Sequence, residues 1–140
     1  MQNMVNIATL IATLAHEGQV DKAGNDYIEH PLYVASLVVG EEEKVVALLH
    51  DVIEDAKVTS HDLEKAGFTR EIVEAIEVMT KTPRMTYEEY LKRIKGNALA
   101  TVVKLADLKH NSDISRIENP TEKDYRRCQK YNRAISYLTE

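Results

Sequence analysis

The chain has 140 residues with 18 Lys and Arg against 23 Asp and Glu, a net charge of −5 that argues against nucleic-acid binding but allows a small anionic substrate beside a bound cation. Hydrophobic residues make up 44% and aromatic residues 6%, which predicts a helical core of aliphatic side chains. With one cysteine, no signal-like N-terminus and no uncharged apolar run of about 20 residues, we expect one cytoplasmic domain over residues 1–140 that does not enter a membrane.

Apolar residues recur at helical spacing along most of the chain, which predicts an all-α bundle of seven to eight helices. A polar loop over residues 17–26 is the longest stretch without periodicity, and such loops often carry function. In chain order the predicted helices cover about residues 5–14, 31–40, 41–55, 59–67, 69–79, 87–94, 98–112 and 120–138.

The end of the third predicted helix carries ionisable residues where the pattern is most apolar. Five apolar residues, 45–49, precede His50 and Asp51, so this pair is expected where the helix is buried. Glu54 follows His50 by four residues and Asp55 follows Asp51 by four, so each pair shares a helix face. An ionised carboxylate is costly there unless it is paired or binds a metal.

Asp107 poses the same problem in the predicted helix 98–112, the most apolar helix and therefore expected to be central, where it forms a polar stripe with Lys104 and Asn111. Both stripes, together with His30 at a helix start, could converge on one cation. Two imidazoles and two carboxylates suit Mn²⁺, Fe²⁺ or Zn²⁺ better than Ca²⁺. Each residue alone also fits a structural role, such as an ion pair between Asp107 and Lys104. Four structural roles would, however, need four separate partners for these buried polar groups, whereas one metal ion could bind all of them.

Other histidines have simpler interpretations. His61 and Asp62 form a second His-Asp dipeptide, but it follows the predicted cap residue Thr59, so we expect a helix cap rather than a second metal site. His16 and His110 are expected to have structural or ligand-orienting roles.

Four segments, residues 15–19, 26–32, 47–55 and 103–111, resemble motifs of the His-Asp (HD) superfamily of metal-dependent phosphohydrolases. The H…HD…D order of that superfamily is matched by His30, His50, Asp51 and Asp107. The chain is most similar to one branch, the hydrolase domains of the RelA/SpoT alarmone enzymes and their small stand-alone relatives. The resemblance covers about residues 5–117.

The resemblance implies an HD-type helical bundle that holds one divalent metal ion, with Mn²⁺ as the first candidate and Fe²⁺ or Zn²⁺ as alternatives. The implied metal ligands are His30, His50, Asp51 and Asp107. The implied catalytic pair, which positions or activates the attacking water, is Glu54 and Asp55.

The resemblance also implies a substrate site, at which Lys22 and Asn111 contact the substrate, and Lys104 is a further candidate for phosphate binding. Asp21 departs from the family pattern, because those enzymes usually have an arginine there that packs on the guanine base. We therefore expect weak guanine preference and expect Asp21→Arg to improve kcat/KM for the guanosine alarmone. The alternative is that Asp21 faces solvent and another residue holds the base.

These residues together predict hydrolysis of a phosphoester or pyrophosphate on a small nucleotide, with guanosine 3′,5′-bis(diphosphate) as the first candidate substrate. One alternative is a nucleotidase or phosphodiesterase for another nucleotide, which Asp21 favours. A second alternative is a nucleotide-sensing module without turnover, which the water-activating pair disfavours. The oligomeric state is left open, a homo-oligomer included.

Overall fold

The computed structural model describes residues 2–55 and 57–140, except for the side chains of Gln2 and Asp55. The described backbone is all-α, as predicted, and has no β-strand. Its nine α-helices are α1 (Gln2–Ala15), α2 (Glu29–Ser36), α3 (Glu41–Leu49), α4 (Val52–Asp55), α5 (Ser60–Lys65), α6 (Arg70–Val78), α7 (Tyr87–Lys95), α8 (Ala98–Asn111) and α9 (Glu122–Leu138), with a 3₁₀ helix at Ile114–Arg116. None of these helices has the length and apolarity needed to cross a bilayer.

The predicted third helix is divided in the structure into α3 and the four-residue helix α4. α3 ends at Leu49, and His50 and Asp51 form a turn before α4 begins at Val52. The His50 ring donates its Nδ1–H to the carbonyl of Ala47 at 2.5 Å, so the side chain binds a carbonyl of the last helical turn. His50 and Asp51 therefore project from a turn, and not from the face of a continuous helix.

The centre of the core is the second half of α3, where residues 45–49 are all buried. α3 packs against α1, α2, α6 and α8, which together bury its second half. α8 packs against α2, α3, α6, α7 and α9, so it is a central helix as the apolar pattern predicted, although Val102 on its surface is 41% exposed.

The second His-Asp dipeptide caps a helix, as predicted. The Thr59 hydroxyl accepts a hydrogen bond from the Asp62 N–H at 3.1 Å, and the Asp62 carboxylate accepts one from the Thr59 N–H at 3.0 Å. Such a cap contributes about 1 kcal/mol to helix stability. Asp62 is therefore used locally at the start of α5.

The loop between α1 and α2 is closed by its own hydrogen bonds. The Asp21 N–H donates to the Asn25 carbonyl at 2.9 Å, and Asp21 Oδ1 accepts from the N–H groups of Ala23 at 2.9 Å and Asn25 at 3.0 Å. Gly24 has φ +85°, which a residue with a side chain rarely adopts. These contacts hold the loop that leads directly into His30.

Candidate metal centre

Three helices bring His30, His50 and Asp107 together in the protein interior. His30 lies in the first turn of α2, His50 follows α3 and Asp107 lies on α8. All three residues are at most 3% exposed, and one side-chain ligand atom of each lies within 4.8 Å of the others. His30 Nε2 is 2.7 Å from Asp107 Oδ1, and His50 Nε2 is 3.3 Å from the same oxygen.

Asp51 lies at the edge of this cluster. Its Oδ2 atom is 2.9 Å from His50 Nε2 and also accepts a hydrogen bond from the Tyr27 hydroxyl. The Asp51 side chain is 18% exposed, so it is the most accessible of the four predicted ligands. The structure thus brings all four together, with Asp51 next to His50 and outside the three-residue group.

The charges in this cluster strongly perturb its titration. Burial disfavours a charged His50, but the carboxylates of Asp51 and Asp107 outweigh burial and raise the pKa of His50 well above its ordinary value. Burial alone would raise the pKa of Asp51, but the facing His50 lowers it to about 2. In the protein without a metal, a proton on His50 therefore compensates the carboxylates at neutral pH.

The donor atoms of the cluster fit a divalent cation. Since His50 donates Nδ1–H to a carbonyl, its Nε2 is the nitrogen that faces Asp51 and Asp107. This buried Nε2 has no hydrogen-bond partner among the described residues, although carboxylate oxygens lie within 3.3 Å. Two imidazole nitrogens facing carboxylate oxygens match the mixed nitrogen and oxygen donors that Mn²⁺, Fe²⁺ and Zn²⁺ accept. The cluster can therefore hold a divalent metal ion.

His110 orients His30 from the opposite side of its ring. The two Nδ1 atoms are 2.7 Å apart, and the rings stack with centroids 5.0 Å apart. Burial and then the Arg116 charge lower the pKa of His110 to about 4, so the ring is neutral at neutral pH. A neutral His110 can accept the Nδ1–H of His30 and leave His30 Nε2 free to bind a metal.

Asp107 also has two partners on its own helix. Lys104 donates to Oδ2 at 2.9 Å, and the Asn111 amide donates to Oδ1 at 3.1 Å. Burial raises the pKa of Asp107, but Lys104 outweighs burial and holds it well below the ordinary range. These contacts fix the carboxylate in an ionised state and a defined orientation.

A cavity of about 310 Å³ adjoins the cluster, and we call it the Lys22 cavity. Tyr27 and Asn111 line it, and these residues also bind Asp51 and Asp107. Burial and then Arg127 and Lys123 lower the pKa of Lys22, while the charge of Asp124 acts in the opposite direction. Its remaining lining residues are Val20, Asp21, Ala23, Arg116, Ile117, Arg127 and Tyr131.

The other predicted site residues lie apart from this cavity. Lys104 binds Asp107 and does not line the cavity, so it is placed to orient a ligand instead of contacting substrate phosphates. Glu54 is exposed on α4, and its charge contributes to the raised pKa of Tyr90, after burial. The predicted role of Asp55 concerns a side chain outside the described ones.

The sequence analysis missed two residues that hold predicted ligands or line the cavity. Tyr27 binds Asp51, and the only signal for it was its place one turn before His30. Arg116 binds Asp21 at 3.0 Å across 95 residues of chain, and no local pattern could have predicted this pair. The Asp21 side chain is therefore paired with Arg116 and is not turned to solvent, which contradicts the alternative expectation for it.

Comparisons with known proteins identify the family. The bifunctional (p)ppGpp synthase/hydrolase SpoT of Escherichia coli is 34% identical over 119 residues, covering 74% of this chain and 17% of that protein. The guanosine-3′,5′-bis(diphosphate) 3′-pyrophosphohydrolase of Haemophilus influenzae is 34% identical over 117 residues, covering 73% and 17%. The chain thus spans about a sixth of the length of these relatives.

The fold is also that of a solved structure, described as a metazoan ortholog of SpoT that hydrolyzes ppGpp. It superposes with a TM-score of 0.78 over 96% of this chain and 84% of that chain, at 20% sequence identity. The sequence profile of the HD domain matches residues 8–123, which include the four residues of the predicted metal centre. The predicted resemblance is confirmed, and the chain belongs to the HD domain family.

Proposed function

We propose that this chain is a metal-dependent phosphohydrolase that cleaves a pyrophosphate or phosphoester from a small nucleotide. Guanosine 3′,5′-bis(diphosphate) is the first candidate substrate, cleaved at its 3′-pyrophosphate, and Mn²⁺ is the first candidate metal. The names of the SpoT-type relatives support this substrate.

The observation that carries the proposal is the buried cluster of His30, His50 and Asp107, with Asp51 beside it, next to a cavity lined by Lys22. The imidazole nitrogens and carboxylate oxygens in contact here supply the mixed nitrogen and oxygen donors of a divalent-metal site. A metal site next to Lys22 suits an anionic substrate, because phosphates are attracted both to the ion and to the ammonium group.

Each residue of the site has a distinct role in this proposal. His30, His50, Asp51 and Asp107 hold the ion, while Tyr27, His110, Lys104 and Asn111 orient these ligands. A bound divalent ion supplies Lewis acidity, which polarises a phosphoryl oxygen and acidifies water. Lys22 binds the substrate phosphates at the cavity.

Glu54 is assigned to the attacking water, with Asp55 beside it in sequence. Glu54 lies three residues after Asp51, on the short helix α4 that the metal-centre turn leads into. An exposed carboxylate keeps its charge and can accept a proton from water that attacks phosphorus.

The test is turnover by metal-free and metal-loaded protein. The chelator-treated chain is reloaded with Mn²⁺, Fe²⁺, Zn²⁺ or Mg²⁺ and assayed for pyrophosphate and phosphate release from guanosine and adenosine nucleotides. We expect metal-dependent release, and we expect His50→Ala to abolish both turnover and stoichiometric metal binding. His61→Ala is the matched control, because His61 is an exposed histidine in the second His-Asp dipeptide.

Three results would separate the alternatives. Release from another nucleotide alone would identify a nucleotidase or phosphodiesterase of different specificity. Nucleotide binding without release, under all four metals, would identify a sensing module. Full metal content in His50→Ala would contradict the proposed site itself.

A further inference from the structure

Arg116 has an unusual position at the Lys22 cavity. Its guanidinium donates through Nη2 to Asp21 Oδ2 at 3.0 Å and through Nη1 to the His110 carbonyl at 3.1 Å. Both hydrogen bonds use N–H groups at the edge of the guanidinium, so its planar faces are not occupied by them. Arg116 lines both the Lys22 cavity and a second cavity of about 480 Å³, which Tyr33 also lines.

The charge of Arg116 is already compensated, whereas that of Lys22 is not. The Asp21–Arg116 pair is largely shielded from water, with side chains 12% and 24% exposed. Among the described residues Lys22 has no salt-bridge partner, because Asp124, whose charge acts on Lys22, is itself paired with Arg127 at 3.0 Å. Anionic phosphates are therefore attracted mainly to Lys22. Arg116, whose charge is paired with Asp21, can instead contact a ligand through the flat face of its guanidinium.

The cavity has a matching distribution of apolar surface. Val20 and Ile117 line it together with the ring of Tyr131. Tyr27 and Asn111, which contact metal ligands, line it as well. A ligand with phosphates at the metal and Lys22 would thus place its non-phosphate part among the other lining residues, Arg116 included.

We infer that Arg116, held flat by Asp21, is the platform on which the base of a purine nucleotide stacks. This inference rests on the proposed function and names the specificity-determining residues of the same site. Because a guanidinium face does not read the donor and acceptor groups of a base, guanine and adenine are held similarly. Asp21 positions Arg116 and does not contact the reacting atoms.

This arrangement reverses the expected effect of Asp21→Arg. The new guanidinium would face Arg116 and would remove the acceptor that binds the N–H groups of Ala23 and Asn25. We expect the variant to weaken nucleotide binding, although the sequence predicted an improvement for the guanosine alarmone.

Two conservative variants distinguish the contribution of the flat Arg116 guanidinium surface to nucleotide binding from that of its positive charge. Arg116→Lys keeps the positive charge and loses the flat surface. Asp21→Asn keeps an oxygen acceptor for the loop and loses the charge that holds Arg116. Arg70→Lys is the matched control, because Arg70 is a 61% exposed arginine that binds Glu64 and lines neither cavity.

The measurement is the Kd of the full Mn²⁺-loaded chain for guanosine, adenosine and uridine 5′-diphosphates and for inorganic pyrophosphate, by titration calorimetry. We expect both variants to weaken purine nucleotide binding by about tenfold, because the flat guanidinium surface is lost in one and no longer held by Asp21 in the other. Pyrophosphate, which has no base, should bind within twofold of wild type. The double variant should bind purine nucleotides with the same Kd as the single variant that binds them less tightly. The two losses should not add, because both changes disturb one contact.

Several outcomes would overturn the inference. These are unchanged purine nucleotide binding in Arg116→Lys, an equal loss for pyrophosphate, or a wild-type chain that binds pyrophosphate but no purine nucleotide. The proposed function fails separately, if Arg116-dependent nucleotide binding is found but no nucleotide is hydrolysed with any metal.

Discussion

Replacing Asp107 by asparagine tests how much the buried ion pair between Lys104 and Asp107 contributes to stability. Asp107 Oδ2 accepts from Lys104 Nζ at 2.9 Å, and the Lys104 side chain is 12% exposed. Asp107→Asn keeps the shape of the side chain but leaves this ammonium without a counter-charge. Removing one partner of a buried ion pair costs about 3–5 kcal/mol, and we expect the lower end because the asparagine carbonyl still accepts a hydrogen bond.

The expected loss is large enough to measure by heating. For 140 residues the unfolding entropy is about 0.3 kcal/mol/K, so about 3 kcal/mol lowers Tm by about 10 °C. Scanning calorimetry of the chelator-treated chain measures this shift without any contribution from a metal. Lys104→Met combined with Asp107→Asn should recover most of the lost stability, since no unpaired charge remains.

Metal content separates this stability effect from the proposed ligand role. Neither the single nor the double variant should bind Mn²⁺ stoichiometrically, even where the double variant is as stable as wild type. A double variant that remains as unstable as Asp107→Asn would refute the ion-pair argument. A stable double variant with full metal content would refute the assignment of Asp107 as a ligand.

Three further predictions concern the residues around the ion. Glu54→Gln should retain metal while kcat falls by about 10²–10⁴, measured by steady-state kinetics with elemental analysis; an unchanged kcat would contradict the role of Glu54. Tyr27→Phe removes the hydrogen bond to Asp51 and should weaken Mn²⁺ affinity by about 10-fold to 100-fold in competition titrations, whereas wild-type affinity would make that contact irrelevant. The raised pKa of His50 stabilises the metal-free fold below about pH 6.5, and this stabilisation is lost as pH rises through the folded-state pKa. Metal must displace this proton, so Mn²⁺ affinity should rise with pH, and calorimetry in buffers of different ionisation enthalpy should detect proton release; a buffer-independent heat would count against it.

Local sequence determined the helical class and the burial of the main ionisable residues. Five consecutive apolar residues before His50 predicted that this histidine would be buried, and it is 2% exposed. The apolar surroundings of Asp107 predicted its burial in the same way, and Thr59 with Asp62 predicted a cap. These features are local, because helix periodicity and capping depend on residues within one or two turns.

Only the tertiary structure decided which of these residues meet. At the break between α3 and α4, the His50 side chain binds the Ala47 carbonyl of α3. Such a hydrogen bond competes with the backbone hydrogen bonds of a continuous helix, and the spacing of apolar residues does not predict it. The contact between His30 and His110 spans 80 residues, and that between Asp21 and Arg116 spans 95. Helical sequence patterns specify which face of a helix is buried, but the partner of that face is selected by packing among all the helices. The compensation of Asp21 by Arg116 therefore became visible only when the 3₁₀ helix Ile114–Arg116 was seen beside the loop between α1 and α2.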